Sequence, residues 1–183
     1  MFEQSDEQLI KKALKGNKTA WLNLVKRYEK SVFNYGLRMT SNKDDALDLM
    51  QEVFISVHKS LLNYSGEGTF RAWLFRIASF RCVEFYRRKR PMQELSSTDE
   101  PVCEAVLPES FLISQQQNRE LIEAMQGLPI NQKAVVELKF FGHFTFAEIA
   151  EQLDISTNTV KSRLYTALDK LKIILEDSHA SAR

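Results

Sequence analysis

The sequence is poor in residues that break helices or cross-link chains. Six glycines and four prolines are spread over 183 residues, and cysteine occurs only at Cys82 and Cys103. Two cysteines in unrelated contexts, with no C-x-x-C spacing, give neither a disulfide framework nor a zinc site. Histidine is as sparse: His58, His143 and His179 are scattered and suggest no ligand set. No cofactor or metal is therefore expected. No stretch approaches the ~20 apolar residues that a membrane-spanning helix requires, so direct membrane insertion is not expected either. Glu3, Asp6 and Glu7 stand where a secretory signal would place a basic start and an apolar core. These absences point to a soluble, cytoplasmic chain held together by packing.

Net charge is nearly missing as well. Twenty-five Lys and Arg face 24 Asp and Glu, a formal balance of +1. Taken whole, that balance argues against a nucleic-acid partner. Taken by segment, it does not. Residues 70–90 hold seven bases against the single acid Glu84, and residues 91–127 hold seven acids against the single base Arg119. The sum cancels a strongly basic element against an acidic one.

What is present is helical spacing. Hydrophobic residues make up 44% of the chain, enough to exclude wholesale disorder. Ser5 with Gln8 resembles a capping box ahead of Leu9, Ile10, Ala13 and Leu14. A second helix is expected from about Lys18 to Met39, and a third, capped by Ser41, carries Leu49, Met50, Val53, Phe54, Val57 and Leu61. A fourth runs from about Phe70 to Lys89, with Phe70, Trp73, Ile77 and Phe80 as its expected core stripe. Pro91, Pro101 and Pro108 then fall among Ser, Thr, Asp and Glu, the texture of a linker. Further helices follow it. The predicted fold is all-α: two small helical domains, residues 1–90 and 114–177, joined by a flexible acidic linker over 91–113 and followed by a tail over 178–183.

Thr145 to Leu171 has helix-turn-helix grammar. A short amphipathic helix with Phe146, Ile149 and Ala150 meets a turn at Leu153-Asp154-Ile155-Ser156. A longer helix then carries Val160, Leu164, Leu168 and Leu171 inward. Asn158, Lys161, Ser162 and Tyr165 fall on its outer face, where a recognition helix reads major-groove edges, and Thr159 and Arg163 suit phosphate contacts. The plain rival is a helical hairpin with a solvated polar face.

Residues 70–90 interleave aromatics with six arginines. Charge for a phosphate backbone and flat faces for unstacked bases are what a single strand requires. The preceding Tyr64-Ser65-Gly66-Glu67-Gly68 segment is a candidate pocket for one flipped base, or an ordinary inter-helix loop. Asp45, Asp48 and Glu52 line one side of the third helix. A metal site there lacks a His partner and a catalytic carboxylate pair lacks a cleft; a solvated or partner-binding acidic face fits better, with Leu49 and Phe54 beside it.

Three of these segments, in this order, resemble the sigma-70 family of RNA polymerase sigma factors. Asp45-Ala46-Leu47-Asp48-Leu49-Met50-Gln51-Glu52-Val53-Phe54 resembles the polymerase-binding helix of region 2. Phe70-Arg71-Ala72-Trp73-Leu74-Phe75-Arg76-Ile77-Ala78, leading to Arg87-Arg88, resembles the promoter-melting helix that reads the −10 element. Leu128-Pro129, Glu148-Ile149-Ala150 and Thr159-Val160-Lys161-Ser162-Arg163 resemble region 4, which reads the −35 element. Joining regions 2 and 4 without a region 3 between them is similar to the extracytoplasmic-function (ECF) group. On this resemblance the first domain is a region 2 helical bundle and the second a region 4 helix-turn-helix.

The resemblance implies a non-enzymatic promoter-specificity subunit with no catalytic residues. Asp45, Asp48, Leu49, Gln51, Glu52 and Phe54 would dock on the β′ clamp helices of core RNA polymerase. Tyr64, Ser65, Gly66, Glu67 and Gly68 would surround a flipped base. Arg76, Ile77, Ser79, Phe80, Glu84, Arg87 and Arg88 would read or hold the melted −10 strand. Asn158, Lys161, Ser162, Tyr165 and Thr166 would face duplex −35 bases, with Lys139, Thr159 and Arg163 on phosphates and the β flap holding the module in place. An anti-sigma factor would cover these faces until a signal arrives. Departures from the family pattern bear on specificity: Phe80 stands where many relatives carry Asn, Glu84 for Asp, Asn158 for Gly and Thr166 for Arg. Asp154 stands at a turn usually made by Gly, and Asp tolerates the left-handed backbone that such a turn needs. Two rival classes are a stand-alone helix-turn-helix regulator that never touches polymerase, and a nucleotide enzyme built on Gly16-Asn17-Lys18-Thr19. That last segment lacks the upstream glycine and the preceding strand of a phosphate-binding loop.

Overall fold

A computed structural model describes residues 4–89 and 115–181. The expected linker over 91–113 lies outside them. Among the described residues every regular element is helical. The first unit comprises α1 (Asp6–Leu14), α2 (Lys18–Thr40), α3 (Lys43–Ser60), a short 3-10 turn (Leu61–Asn63) and α4 (Phe70–Lys89). The second comprises α5 (Gln115–Gln126), α6 (Ile130–Val136), a π-helical turn (Glu137–Phe141), α7 (Phe146–Leu153) and α8 (Thr157–Ser181). The all-α expectation is met.

Local chemistry sets the helix starts. Ser5 and Gln8 form the capping box of α1, and Asp6 then ties α1 to α2 by accepting from Arg27 Nη1 and the Tyr28 hydroxyl, each at 2.5 Å. Asn17 caps α2 by accepting from the Ala20 amide at 3.0 Å. The Gly16-Asn17-Lys18-Thr19 segment is thus a helix start. The third helix corrects one expectation. Its cap is Asn42, whose side chain accepts from the Asp44 and Asp45 amides at 2.9 and 3.0 Å. Ser41 instead closes α2 in the left-handed conformation, φ 54°. One residue serves the end of one helix and the next serves the start of another, so no loop intervenes. Gly36 permits the tight α2–α3 crossing, since a Cβ there would lie 3.2 Å from the Ala46 backbone.

The core face of α4 also differs from the expected stripe. Phe70, Leu74, Phe75, Ala78, Ser79, Cys82 and Phe85 are buried, whereas Trp73 and Ile77 are half-buried and Phe80 is 60% exposed. Apolar and aromatic residues run around most of this helix, so the bulk of a side chain does not reveal its direction. Small residues at 78, 79 and 82 mark the side where neighbouring helices approach closely. In that core the Cys82 thiol is pushed up to about 12 by burial, which keeps it protonated and unreactive at neutral pH.

In the second unit, Met125, Val135, Leu138, Ile149, Val160, Ala167 and Leu171 form the buried centre. Leu168, expected inside, is exposed, and Ala167 holds the inward position. Gly142 ends the π-helical turn where a Cβ would meet the Leu138 carbonyl at 2.5 Å and the Phe144 ring at 2.7 Å. The units also touch each other: α4 packs on α7, and α2 on α5, α6 and the π-helical turn.

The helix junction is open to test in urea unfolding. Asn42→Ala is expected to destabilise the chain by about 1 kcal/mol, the usual loss for an N-cap. Ser41→Gly is expected to leave it unchanged or stabilise it by a few tenths, about the strain released at a left-handed position. The opposite order would return the cap to Ser41.

Candidate nucleic-acid interface

Burial of α4 on its core side leaves one strip in solvent. Arg76, Phe80, Val83 and Arg87 recur at helical spacing and are exposed, with Ile77 and Glu84 half-buried beside them. Five of the seven α4 residues anticipated for the −10 strand lie on or beside this strip. Two do not. Ser79 is 3% exposed, with its hydroxyl accepting from Tyr35 at 3.5 Å inside the core. Arg88 turns to the other side, where its Nη2 donates to both Glu52 carboxylate oxygens at 2.7 Å. Val83 was missed, because an aliphatic residue among aromatics and bases reads as core. Its position seven after Arg76 was the available signal.

The Tyr64–Gly68 segment leads into the start of α4. Gly66 and Gly68 adopt φ of +80° and +72°, which an L side chain rarely tolerates. The Tyr64 hydroxyl donates to the Gly68 carbonyl at 3.2 Å, and Ser65 Oγ accepts from the Glu67 amide at 3.2 Å. Tyr64 meets Phe70 and Trp73 with ring centroids 5.6 and 5.2 Å apart. The turn is therefore pinned by aromatic packing onto the start of α4, with its backbone exposed. Thr69 caps α4 there by accepting from the Ala72 amide at 3.1 Å.

On α3, Asp48 and Gln51 are exposed, Asp45, Glu52 and Phe54 are half-buried, and Leu49 is 0% exposed. Leu49, expected on the docking face, is buried in the core beneath it. An open groove of about 360 Å³ runs between this face and the end of α4, lined by Asp48, Gln51, Glu52, Ile55, Phe85, Arg88 and Lys89. Ile55 is exposed in it and was also missed, although it lies one turn beyond Gln51. Glu52 pairs with Arg88, and Asp45 with Lys89. The acidic face is thus half neutralised by the basic end of α4. The pair with Glu52 holds the Arg88 guanidinium still further above its ordinary range. Arg81 braces the same two helices, donating to Ser56 Oγ at 2.7 Å and to Glu84 at 2.6 Å.

In the second unit, Thr145 and Glu148 form the capping box of α7, the Glu148 carboxylate accepting from the Thr145 amide at 2.7 Å and hydroxyl at 2.8 Å. Those bonds hold the Glu148 carboxyl below its ordinary range. The turn between α7 and α8 places Asp154 at φ 53°, ψ 49°, the left-handed conformation anticipated for it. Ser156 caps α8 by accepting from the Thr159 amide at 3.1 Å, and its hydroxyl shares a 2.8 Å bond with that of Thr159. With Val160, Leu164 and Ala167 inside, Asn158, Lys161, Ser162, Tyr165 and Thr166 are exposed, and Thr159 and Arg163 are half-buried. Lys139 and Lys161 converge on Phe146, at 4.6 and 5.7 Å from its ring. Distant in sequence, the two lysines flank the start of the helix-turn-helix. All eight −35 candidates thus reach at least partial solvent exposure.

Fold and surfaces define a two-unit helical protein with a helix-turn-helix in its second unit. The comparisons with known proteins agree. The family model Sigma-70 region 2 matches residues 24–91, and Sigma-70, region 4 matches residues 118–171. The ECF RNA polymerase sigma factor SigW of Bacillus subtilis is 27% identical, over 96% of this chain and 100% of its own length. The ECF RNA polymerase sigma-E factor of Haemophilus influenzae is 27% identical over 94% of this chain and 96% of its own. The fold is shared with CnrH, solved in complex with the cytosolic domain of CnrY, at TM-score 0.70 and 22% identity over 95% of this chain and 99% of that one. This chain belongs to the sigma-70 family, in its ECF group.

Phe80 tests the strip. Its ring is largely in solvent, so Phe80→Ala is expected to change stability by no more than about 0.5 kcal/mol. Affinity for a single-stranded oligonucleotide of mixed sequence is expected to fall by about 1–3 kcal/mol, the worth of one stacked base. Fluorescence anisotropy reads the second quantity, and unchanged affinity removes Phe80 from the strand-holding surface.

Proposed function

We propose that this chain is the promoter-specificity subunit of an RNA polymerase holoenzyme, acting by placement and performing no covalent chemistry of its own. The observation that carries this reading is the sorting of three chemistries onto separate faces of one chain. A groove of mixed charge with exposed Asp48, Gln51 and Ile55 suits a protein partner, an aromatic and basic strip suits an unpaired strand, and a helix-turn-helix face suits duplex DNA. A stand-alone regulator would use the third face and leave the other two without a task.

In this reading Asp45, Asp48, Gln51, Glu52, Phe54 and Ile55 dock on the β′ clamp helices of core polymerase. The Tyr64–Gly68 turn takes one base rotated out of the non-template strand. Arg76, Ile77, Phe80, Val83, Glu84 and Arg87 hold the strand beside it. Asn158, Lys161, Ser162, Tyr165 and Thr166 face −35 base edges, while Lys139, Thr159 and Arg163 serve phosphates, with the unit held by the β flap. An anti-sigma factor covers one or more of these faces. The chain works in the cytoplasm, where polymerase and promoter are. No helix among the described residues is long and apolar enough to cross a membrane.

Magnitudes assign the labour. Opening the duplex disrupts several stacking steps of roughly 1.4 kcal/mol each. Capturing one unstacked base returns roughly 1–3 kcal/mol. One pocket therefore cannot drive melting, and the polymerase contacts must supply the remainder. Near-neutral net charge fits this division, because a strongly basic free subunit would be lost to non-specific DNA.

Binding to purified core polymerase tests the reading. Asp48→Arg replaces the exposed acid of the groove with a cation and is expected to lower affinity at least about tenfold, with helical content unchanged. Wild-type chain that fails to bind core polymerase would sink the proposal and favour the stand-alone regulator.

A further inference from the structure

One acid stands on the strip that is offered to an unpaired strand. Arg76, Phe80, Val83 and Arg87 are exposed there, and Glu84 is half-buried one turn beyond Phe80. A bare carboxylate repels a phosphate backbone, so Glu84 weakens this face unless its charge is met and its oxygens have another use. The charge is met by Arg81. Its Nη1 donates to Glu84 Oε2 at 2.6 Å, and its Nε donates to Ser56 Oγ at 2.7 Å. The Ser56 hydroxyl is itself fixed, donating to the Glu52 carbonyl at 2.7 Å within α3. One guanidinium thus ties a carboxylate on α4 to the backbone of α3.

The other described arginines of α4 are used differently. Arg76 and Arg87 face solvent, Arg71 lies over the Phe75 and Phe144 rings at 5.3 and 4.6 Å, and Arg88 pairs with Glu52. Arg88 also feels the Glu84 charge, without a hydrogen bond to it. Among the described arginines of α4, Arg81 alone hydrogen-bonds a residue of the strip. The Arg81 and Glu84 side chains are 36% and 34% exposed, and a pair that open to water adds little to folding.

What the pair supplies is geometry. Glu84 follows Phe80 by four residues, so the two share one face of the helix. The Arg81 guanidinium carbon lies 5.7 Å from the centre of the Phe80 ring, so one cation serves both side chains. Among the described residues no hydrogen bond reaches Glu84 Oε1. The ring offers a flat face to one unstacked base, and the ion-paired carboxylate beside it offers an acceptor and no donor. Its match is a base with an amino group, which cytosine, adenine and guanine carry and thymine lacks.

We infer that Arg81 is a positioning residue for base reading: it neutralises Glu84 and fixes the carboxylate beside Phe80, so that one oxygen accepts from the amino group of a single unpaired base. The inference rests on the promoter-reading function proposed above and gives it a residue that sets discrimination through Glu84. Without Arg81, Glu84 keeps its charge and loses its direction, so discrimination falls at one position of the strand.

Holoenzyme assembled from the full-length chain and core polymerase tests this on forked DNA whose unpaired non-template strand is randomised, with bound molecules recovered and sequenced. Wild type is expected to disfavour thymine at one position by at least about tenfold, the fold-change of a hydrogen bond to a charged group. Glu84→Gln, whose amide both donates and accepts, and Arg81→Ala are each expected to bring that position within about threefold, with preferences elsewhere in place. Core-polymerase affinity of Arg81→Ala is expected to stay within about twofold of wild type, with helical content by circular dichroism unchanged. Should Arg81→Ala lose helical signal, Arg81→Lys is the variant to read. It keeps the charge and gives up the fork, so overall DNA affinity is expected to hold while the same position loses discrimination. A uniform loss of affinity in Arg81→Ala with every base preference intact would make Arg81 a plain charge and overturn the inference. So would a wild type in which no position responds to Glu84→Gln. Enrichment at other positions would then still sustain promoter reading, whereas enrichment at no position removes that function and the inference with it.

Discussion

Burial of α4 on two sides is the constraint on which the remaining surfaces depend. Its own unit covers Leu74, Ala78, Cys82 and Phe85, and the second unit reaches it through Phe144 on Phe75. Full burial of one such ring is worth about 1.5–3 kcal/mol, so the helix cannot roll to offer a different face. What is left is a single strip, and it is the strip that carries Arg76, Phe80 and Arg87. Position follows from packing here, and chemistry follows from position. The loop before α4 inherits the same rigidity through Tyr64, whose ring packs on Phe70 and Trp73.

The near-zero net charge has a structural counterpart. The basic end of α4 folds back onto the acidic face of α3, pairing Arg88 with Glu52 and Lys89 with Asp45. Exposed pairs of this kind are worth about 0–1 kcal/mol. They therefore add little to stability and leave the acids and bases of this corner close to water. The buried Arg38–Glu137 pair is of another kind. Burial pushes the Glu137 carboxyl up, the guanidinium opposes that shift, and neither group is content without the other.

Much of this was legible in the sequence. Scarce glycine and proline, helical spacing and the helix-turn-helix grammar were enough for an all-α chain and for the exposed face of α8. The left-handed Asp154 was legible too, from the small set of residues that tolerate that backbone. Residue direction on α4 was not, because a helix apolar around most of its circumference has no periodicity to read, and the small residues that mark close approach look unremarkable in a string. Ser79 and Leu49 were misplaced for a related reason. A motif names neighbours along the chain, whereas burial depends on which side another helix arrives. Partners distant in sequence, such as Glu52 with Arg88 and Arg38 with Glu137, leave no local trace at all.

Placement of two readers on one promoter by one subunit is most directly tested by transcription in vitro. Purified chain and core polymerase are supplied with a library of templates randomised across the upstream duplex and the start region. Transcripts are expected only when both proteins are present, from templates that share two elements at a fixed separation, one in duplex and one in the melted segment. Transcription that ignores the added chain, or enrichment of a single duplex element bound without polymerase, would contradict it.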